Sequence, residues 1–114
     1  MTRSPRFWLE DIIEAAELIG RYLTGLSFEE FEEDVEKQDA VARRLEIIGQ
    51  AVKELPENLR EAHPSVEWRA IAGARDIVAH EYFRIDLELV WGMATKDVPK
   101  LLGQVREILQ QLPA

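Results

Sequence analysis

Apolar residues recur along most of the chain at intervals of three and four, which is the spacing of one face of an α-helix. The three longest series are Trp8, Ile12, Ala15, Ile19 and Tyr22; Val41, Leu45, Ile48, Val52 and Leu55; and Leu87, Trp91, Ala94, Val98, Leu101, Val105, Ile108 and Leu112. A fourth segment begins at Trp68 and places Ile71, Ala72, Ala79 and Phe83 at helical spacing. The sequence has no alternating β-branched run and no Asn-Gly hairpin dipeptide. The pattern predicts an all-α, up-and-down bundle of four or five helices.

Residues with special backbone or capping roles predict where these helices begin and end. Gly25 suits the left-handed residue that ends a helix, and Ser27 with Glu30 forms the spacing of a capping box. Ser65 is a candidate N-cap for the helix that begins near Trp68. Pro99 lies inside the last series, so we expect a kink or a helix restart there.

Small residues predict where helices approach closely. Ala42 and Gly49 lie seven residues apart beside the second series, so a neighbouring helix can come near them. Gly73 costs its helix up to about 1 kcal/mol relative to alanine. We therefore also expect close packing of the backbone at Gly73.

The acidic segment 29–39 has two interpretations, a metal site or a solvated helix face. Phe28, Phe31 and Val35 keep helical spacing through it, which favours the solvated face. A di-iron bundle would need Glu-x-x-His pairs, and neither histidine has a glutamate three residues before it. We therefore predict no metal site.

Length and composition indicate one folded domain spanning residues 1–114, with 46% hydrophobic residues and no cysteine. No apolar run approaches the roughly 20 residues that span a bilayer, and the first residues lack the apolar core of a signal peptide. We expect a cytoplasmic protein. The net charge of −8 gives no overall field that attracts nucleic acid, so an RNA-directed function needs a local basic patch. The candidates for this patch are Arg43, Arg44, Arg69, Arg84 and Lys100.

The segment ARDIVAHEYF, residues 74–83, carries four groups capable of chemistry: Arg75, Asp76, His80 and Tyr82. Arg75 and Tyr82 share a helix face, whereas Arg75 and His80 lie about 140° apart around an ideal helix. Arginine offers paired donors to a phosphate, and histidine transfers protons near neutral pH. The set is a candidate phosphodiester site. The alternative is structural. Asp76 and His80 would then form an ordinary i,i+4 pair, Tyr82 would close the end of the helix, and Arg75 would pair with a carboxylate.

The remaining residues of this helix are expected to pack it into the bundle. Ile77 and Val78 lie elsewhere on its circumference from Arg75, and Ala79 and Phe83 are apolar as well. The second histidine, His63, stands between Ala62 and Pro64 without a partner motif. We interpret His63 as a loop residue.

The pattern Arg-Asp-x-x-x-His-x-Tyr resembles the HepT-like (DUF86) family of the HEPN superfamily. Three longer blocks also resemble that family, in the same order: RLEIIGQAVKEL (44–55), VEWRAIAGARDIVAHEYFRIDLELVW (66–91) and DVPKLL (97–102). The resemblance implies an all-α domain that dimerises, with the motif helices of two subunits meeting in a cleft.

The resemblance also implies a function and a role for each motif residue. HepT-like toxins are endoribonucleases that cleave RNA without a metal ion, so no cofactor is expected. Arg75 would bind the scissile phosphate, His80 would act as general base or general acid, and Asp76 would orient these groups. The implied partner is a nucleotidyltransferase antitoxin of the MntA type, which transfers AMP to the residue matching Tyr82.

A second hypothesis remains open beside the enzyme. The chain would then be a non-catalytic helical dimer that binds a nucleotidyltransferase or a nucleotide, with Arg75 and His80 serving as ligand-binding groups. The acidic composition favours this alternative, whereas the complete set of Arg75, His80 and Tyr82 favours the ribonuclease.

Overall fold

The computed structural model describes residues 3–79 and 86–113, and the secondary structure found in these ranges is helical. Its seven α-helices are α1 (Pro5–Leu23), α2 (Phe28–Glu33), α3 (Val35–Glu54), α4 (Glu57–Ala62), α5 (Trp68–Ala79), α6 (Leu87–Gly92) and α7 (Val98–Gln111), with a π-helical segment, Met93–Asp97, between α6 and α7. The predicted all-α fold is confirmed. Four long helical segments carry the fold, and α2 and α4 are short connecting helices.

The core forms around α3, which packs along α1 on one side and α5 on the other, while α1 also packs against α7. The three longest apolar series supply most of this core, as predicted. The large side chains that are fully buried are Leu9, Ile12, Ile19, Phe31, Val41, Leu45, Ile48, Val52, Val90, Leu101 and Val105. Burial of these helix faces, rather than helix propensity alone, stabilises such a bundle.

The last apolar series runs through α6, the π segment and α7 without leaving helical backbone angles, because Gly92 and Val98 both have α-type φ and ψ. At the junction the Val98 N–H donates to the Met93 carbonyl five residues earlier. Pro99 follows directly, and proline has no N–H and crowds the carbonyl four residues before it in a regular α-helix. The predicted interruption at Pro99 is therefore confirmed as a π segment followed by a helix restart.

Two predicted helix ends are confirmed and one is wrong. Gly25 has a φ of 74°, and both bonds of the capping box are present between Ser27 and Glu30, at 2.9 and 3.1 Å. Ser65 does not cap α5. The helix begins at Trp68, where the carbonyl of Glu67 accepts the Ile71 N–H at 3.1 Å.

A tryptophan fixes this later start of α5. The Trp68 indole N–H donates to the carbonyls of Arg60 and His63, both at 3.1 Å, and so closes the end of α4. Because this contact joins the two helix ends, residues 63–67 form the turn between them. His63 lies in that turn, as predicted.

The acidic segment divides at Asp34, whose side chain accepts the Lys37 N–H and caps α3. Phe31 is buried, but Val35 is 55% exposed, so its predicted place on the apolar face is wrong. The chain changes direction between the two residues and takes Val35 off the face that Phe31 occupies. The buried Gln38 holds the corner by donating to the carbonyls of Phe31 and Glu32.

The carboxylates at Glu29, Glu30, Glu32, Glu33, Glu36 and Asp39 are exposed, in agreement with the predicted solvated face. Of the helices within residues 3–79 and 86–113, none is both long and apolar enough to cross a membrane.

Candidate functional site

Arg75 and Asp76 are carried by α5, and a glycine on α3 sets the position of that helix. A Cβ atom built on Gly49 would lie 2.8 Å from the Arg75 Cβ and 3.2 Å from both the Ala72 carbonyl oxygen and the Arg75 backbone nitrogen. Contacts below 3.0 Å force atoms to move, so only glycine allows this approach. The predicted close packing at Gly49 is confirmed, and it occurs at the backbone of Arg75 itself.

Gly73, for which close packing was also predicted, has no neighbouring atom within 4 Å of an added Cβ. That prediction is wrong for the described residues. The α5 backbone meets α3 at Ala72 and Arg75, and Gly73 lies on a different side of the helix.

The buried face of α5 consists of Trp68, Ala74 and Val78, with Ile71 and Ile77 half-buried. Ala79 was expected to pack but is exposed. The reason is the rotation of α5, since the approach to Gly49 turns the face around Ala74 and Val78 inward. Phe83, the other predicted packing residue, lies outside the described residues.

A cleft of about 230 Å³ opens between α1, α3 and α5. Its lining residues are Trp8 and Asp11 from α1; Arg43, Glu46, Ile47 and Gln50 from α3; and Arg75 from α5. Arg75 is half-buried, and within residues 3–79 and 86–113 it forms no hydrogen bond or ion pair. A guanidinium in this position is free to bind an anion that enters the cleft.

Three of the other polar groups of the cleft already have side-chain partners. Arg43 donates to Glu46 at 2.6 Å, and Gln50 donates to Glu54 at 2.9 Å. Burial raises the pKa of the Asp11 carboxyl above its ordinary value, and the nearby Glu14 adds to the rise. The cleft thus holds two arginines and two carboxylates, and Arg75 is the arginine that has no partner among the described residues.

Asp76, the predicted supporting residue, is exposed on α5, one position after Arg75. The predicted catalytic residue His80 and the predicted modification site Tyr82 lie outside the described residues. Whether His80 converges with Arg75 therefore stays a prediction. Groups of three or more His, Cys, Asp or Glu residues arranged to hold a metal ion are not found in the part of the chain that the structure describes.

The predicted basic patch is assembled only in part. Arg43 lines the same cleft as Arg75, as the patch requires. Lys100 instead lines a separate, largely apolar cavity together with Glu67 and Asp97. Arg69 is exposed near the start of α5, and Arg84 lies outside the described residues.

Sequence patterns did not indicate Trp8 and Gln50 as site residues. Trp8 opens the first apolar series and therefore looks like an ordinary core residue, yet it is only half-buried and borders the cleft. Its position at the end of the series, where the buried face runs out, was the one available signal. Gln50 carried no such signal.

Comparison with known families identifies the chain. The family model described as "Ribonuclease HepT-like" matches residues 12–108, which is most of the sequence. The chain belongs to the HepT-like family. The match contains Gly49, Arg75, Asp76 and the motif residues His80 and Tyr82, whereas Trp8 and Asp11 precede it.

Relatives of the HepT-like chain cover nearly its full length. A protein of Caldanaerobacter subterraneus subsp. tengcongensis named "Putative RNase TTE0752" is 44% identical over 109 residues, which are 96% of this chain and 97% of the relative. A "Probable ribonuclease HepT" of Thermococcus cleftensis is 41% identical over 108 residues, covering 95% of this chain and 98% of the relative. No solved structure matches the chain.

Proposed function

We propose that this HepT-like protein is a metal-independent endoribonuclease and the toxin of a toxin–antitoxin pair. The observation that carries the proposal is Arg75, a half-buried cation without a described partner that faces a polar cleft. Family membership and the ribonuclease names of two relatives of similar length support the same substrate class.

The proposed reaction is attack of a ribose 2′-oxygen on the adjacent phosphorus. The 2′-hydroxyl loses its proton, the bond from phosphorus to the 5′-oxygen breaks, and that oxygen receives a proton, which leaves a 2′,3′-cyclic phosphate. Arg75 binds the non-bridging phosphate oxygens and stabilises the charge that develops on them. His80 acts as the base for the 2′-hydroxyl or as the acid for the leaving oxygen, and Asp76 orients the motif.

The proposed active unit is a dimer. One chain supplies a single motif histidine, whereas the reaction needs one group that removes a proton and another that supplies one. A twofold axis through the cleft would bring together two arginines and two histidines. The dimer therefore solves a chemical requirement that one subunit does not meet.

Cleavage of single-stranded RNA in the presence of a chelator tests the catalytic assignment. Wild type is expected to cleave, and Arg75→Ala and His80→Ala are expected to lose at least about a hundredfold in rate. Arg69→Ala is the matched control, because Arg69 lies on the same helix, is exposed and does not line the cleft. Equal rates for wild type, Arg75→Ala and His80→Ala would remove the assignment.

We propose that the antitoxin partner is a nucleotidyltransferase of the MntA type that adenylylates Tyr82. The tyrosine oxygen would attack the α-phosphate of ATP, forming a phosphodiester to AMP and releasing pyrophosphate. On a continuous helix Tyr82 shares a face with Arg75, so the added anion would occupy the phosphate site and repel RNA. Purified protein carrying AMP on Tyr82 is expected to be inactive. Full cleavage activity of the modified protein would contradict this mode of control.

The net charge of −8 favours the second candidate, a non-catalytic dimer that binds the nucleotidyltransferase or a nucleotide. The same chelator experiment separates the two candidates. A wild-type protein that binds the nucleotidyltransferase but cleaves no RNA would establish the second candidate and exclude the first.

A further inference from the structure

The cleft beside Arg75 contains an aromatic side chain for which the proposed reaction gives no role. Trp8 is half-buried at the edge of the apolar face of α1, and it borders the cleft together with Arg43 and Arg75. Trp8 also precedes the residues matched by the family model, so membership of the family does not account for it.

The indole is held in place by its neighbours. The Phe7 and Trp8 rings meet edge to face, with centroids 4.9 Å apart and planes at 86°. The guanidinium of Arg3 lies over the Phe7 ring at 4.3 Å. These contacts orient an aromatic surface before any ligand arrives, which lowers the entropic cost of binding.

The composition of the cleft suits part of a nucleotide. Its volume of about 230 Å³ is below the roughly 300–1,000 Å³ of pockets for drug-sized ligands, and most of its lining residues are polar or charged. Aromatic rings bind bases of single-stranded nucleic acid by stacking, and arginines bind the adjoining phosphates. The cleft has both kinds of group, within a chain whose overall charge would otherwise repel RNA.

We propose that Trp8 stacks on a base next to the phosphate bound by Arg75, and that Arg43 contacts a neighbouring phosphate. Arg43 is available for this because its bond to Glu46 is an exposed ion pair, with side chains 62% and 40% exposed, which contributes little. This inference rests on the proposed ribonuclease function and adds a binding subsite to it. Stacking tolerates any base, so the subsite fixes the position of the strand rather than its sequence.

Binding of a labelled single-stranded oligoribonucleotide tests the subsite separately from cleavage. All variants carry His80→Ala, so that the RNA stays intact, and fluorescence anisotropy gives the dissociation constant. Trp8→Leu is expected to weaken binding about tenfold, whereas Trp8→Phe, which keeps a ring, stays within about threefold. Trp91→Phe is the matched control, because Trp91 packs on Phe28 and Phe31 away from the cleft.

An abasic scan of the RNA keeps the test valid if Trp8→Leu does not fold. In the Trp8-containing protein, removing the base at one position of the oligonucleotide is expected to weaken binding about tenfold. In the Trp8→Leu protein, removing the same base should weaken binding less, because Trp8 and the base are coupled partners in a double-mutant cycle. In Trp8→Phe the same change should be smaller. An affinity that is equal for every abasic position would overturn the proposal.

Three further outcomes test the subsite and separate it from the proposed ribonuclease function. Equal RNA affinity for the Trp8→Leu protein and its Trp8-containing parent would overturn the subsite. A shift of Trp8→Leu to a smaller assembly in size-exclusion chromatography would identify Trp8 as a contact to a second copy, and would overturn it too. If the scan shows the Trp8-dependent position but wild type with His80 cleaves no RNA, the subsite stands and the proposed ribonuclease function fails.

Discussion

Gly49, which has no side chain, determines where the candidate phosphate-binding arginine lies. Gly49→Ala would place a Cβ 2.8 Å from the Arg75 Cβ and 3.2 Å from backbone atoms of α5, so the helices must separate. We expect a loss of about 1–3 kcal/mol in the free energy of unfolding. Because Arg75 moves with α5, RNA cleavage is expected to fall by roughly a hundredfold. Chemical denaturation and a cleavage assay measure the two effects.

Gly103→Ala is the matched control for that substitution. Gly103 is exposed in α7 and has no atom within 4 Å of an added Cβ. Alanine is the better helix former by up to about 1 kcal/mol, so this variant is expected to gain stability and keep its cleavage rate. If Gly49→Ala behaves like Gly103→Ala, the close approach at Gly49 does not position Arg75.

Asp11 provides a pH-dependent prediction at the edge of the same cleft. Burial, followed by repulsion from Glu14, raises the folded-state pKa of Asp11 above its ordinary value of 3.8. The folded protein therefore holds this proton more strongly than the unfolded chain. The contribution of Asp11 to stability is then largest below pH 3.8 and declines as the pH rises through the raised value.

At neutral pH the charged form of Asp11 destabilises the folded protein, because its pKa is raised there. Asp11→Asn should remove this destabilisation. The variant is expected to unfold at a higher temperature than wild type at pH 7, with the difference shrinking on acidification. Glu107→Gln, at an exposed position of α7, is the control and should change the midpoint little. A lower midpoint for Asp11→Asn at pH 7 would show that Asp11 is stabilised, rather than penalised, in the folded protein.

At the scale of the elements, Trp68 joins α4 to α5 and so sets where the motif helix begins. Trp68→Phe removes the donor to the Arg60 and His63 carbonyls. Each carbonyl keeps a backbone donor, the His63 N–H at Arg60 and the Val66 N–H at His63. Loss of the indole bonds is therefore expected to cost about 0.5–1.5 kcal/mol in the free energy of unfolding, measured by denaturant titration. Trp91→Phe keeps an aromatic ring against Phe28 and Phe31 and is expected to cost less. Equal losses of stability would mean that the two hydrogen bonds of Trp68 contribute nothing beyond the packing of its ring.

At the scale of the whole molecule, a net charge of −8 restricts RNA binding to a small region. If Arg43 and Arg75 are the cations that meet phosphates, the logarithm of the binding constant should fall with the logarithm of salt concentration at a slope of about −1.4 per bound subunit. Arg43→Gln should reduce the magnitude of that slope by about 0.7, whereas Arg69→Gln should leave it unchanged. A slope near zero would contradict phosphate binding by this cleft.

Much of the fold was predictable because helical burial is a local property of the sequence. Three apolar series appeared in the core as expected, and the capping box at Ser27 and the turn glycine at position 25 follow from backbone chemistry within four residues. The failures have separate causes. The turn at Asp34 takes Val35 off the buried face, and the Trp68 hydrogen bonds to the end of α4 set a start of α5 later than a cap at Ser65 would give. The approach of α5 to Gly49 leaves Ala79 exposed.

The candidate site was likewise predictable from the sequence only in part. The sequence by itself determined the helical class, the motif that contains Arg75, and the requirement for a local basic region in an acidic chain, because these depend on residue type and spacing. Only the tertiary structure decided that Gly49 brings α5 against α3, that Arg43 joins Arg75, and that Trp8 faces the resulting cleft. Those contacts join residues from positions 8 to 75, and they depend on the rotation and separation of packed helices, which periodicity does not specify.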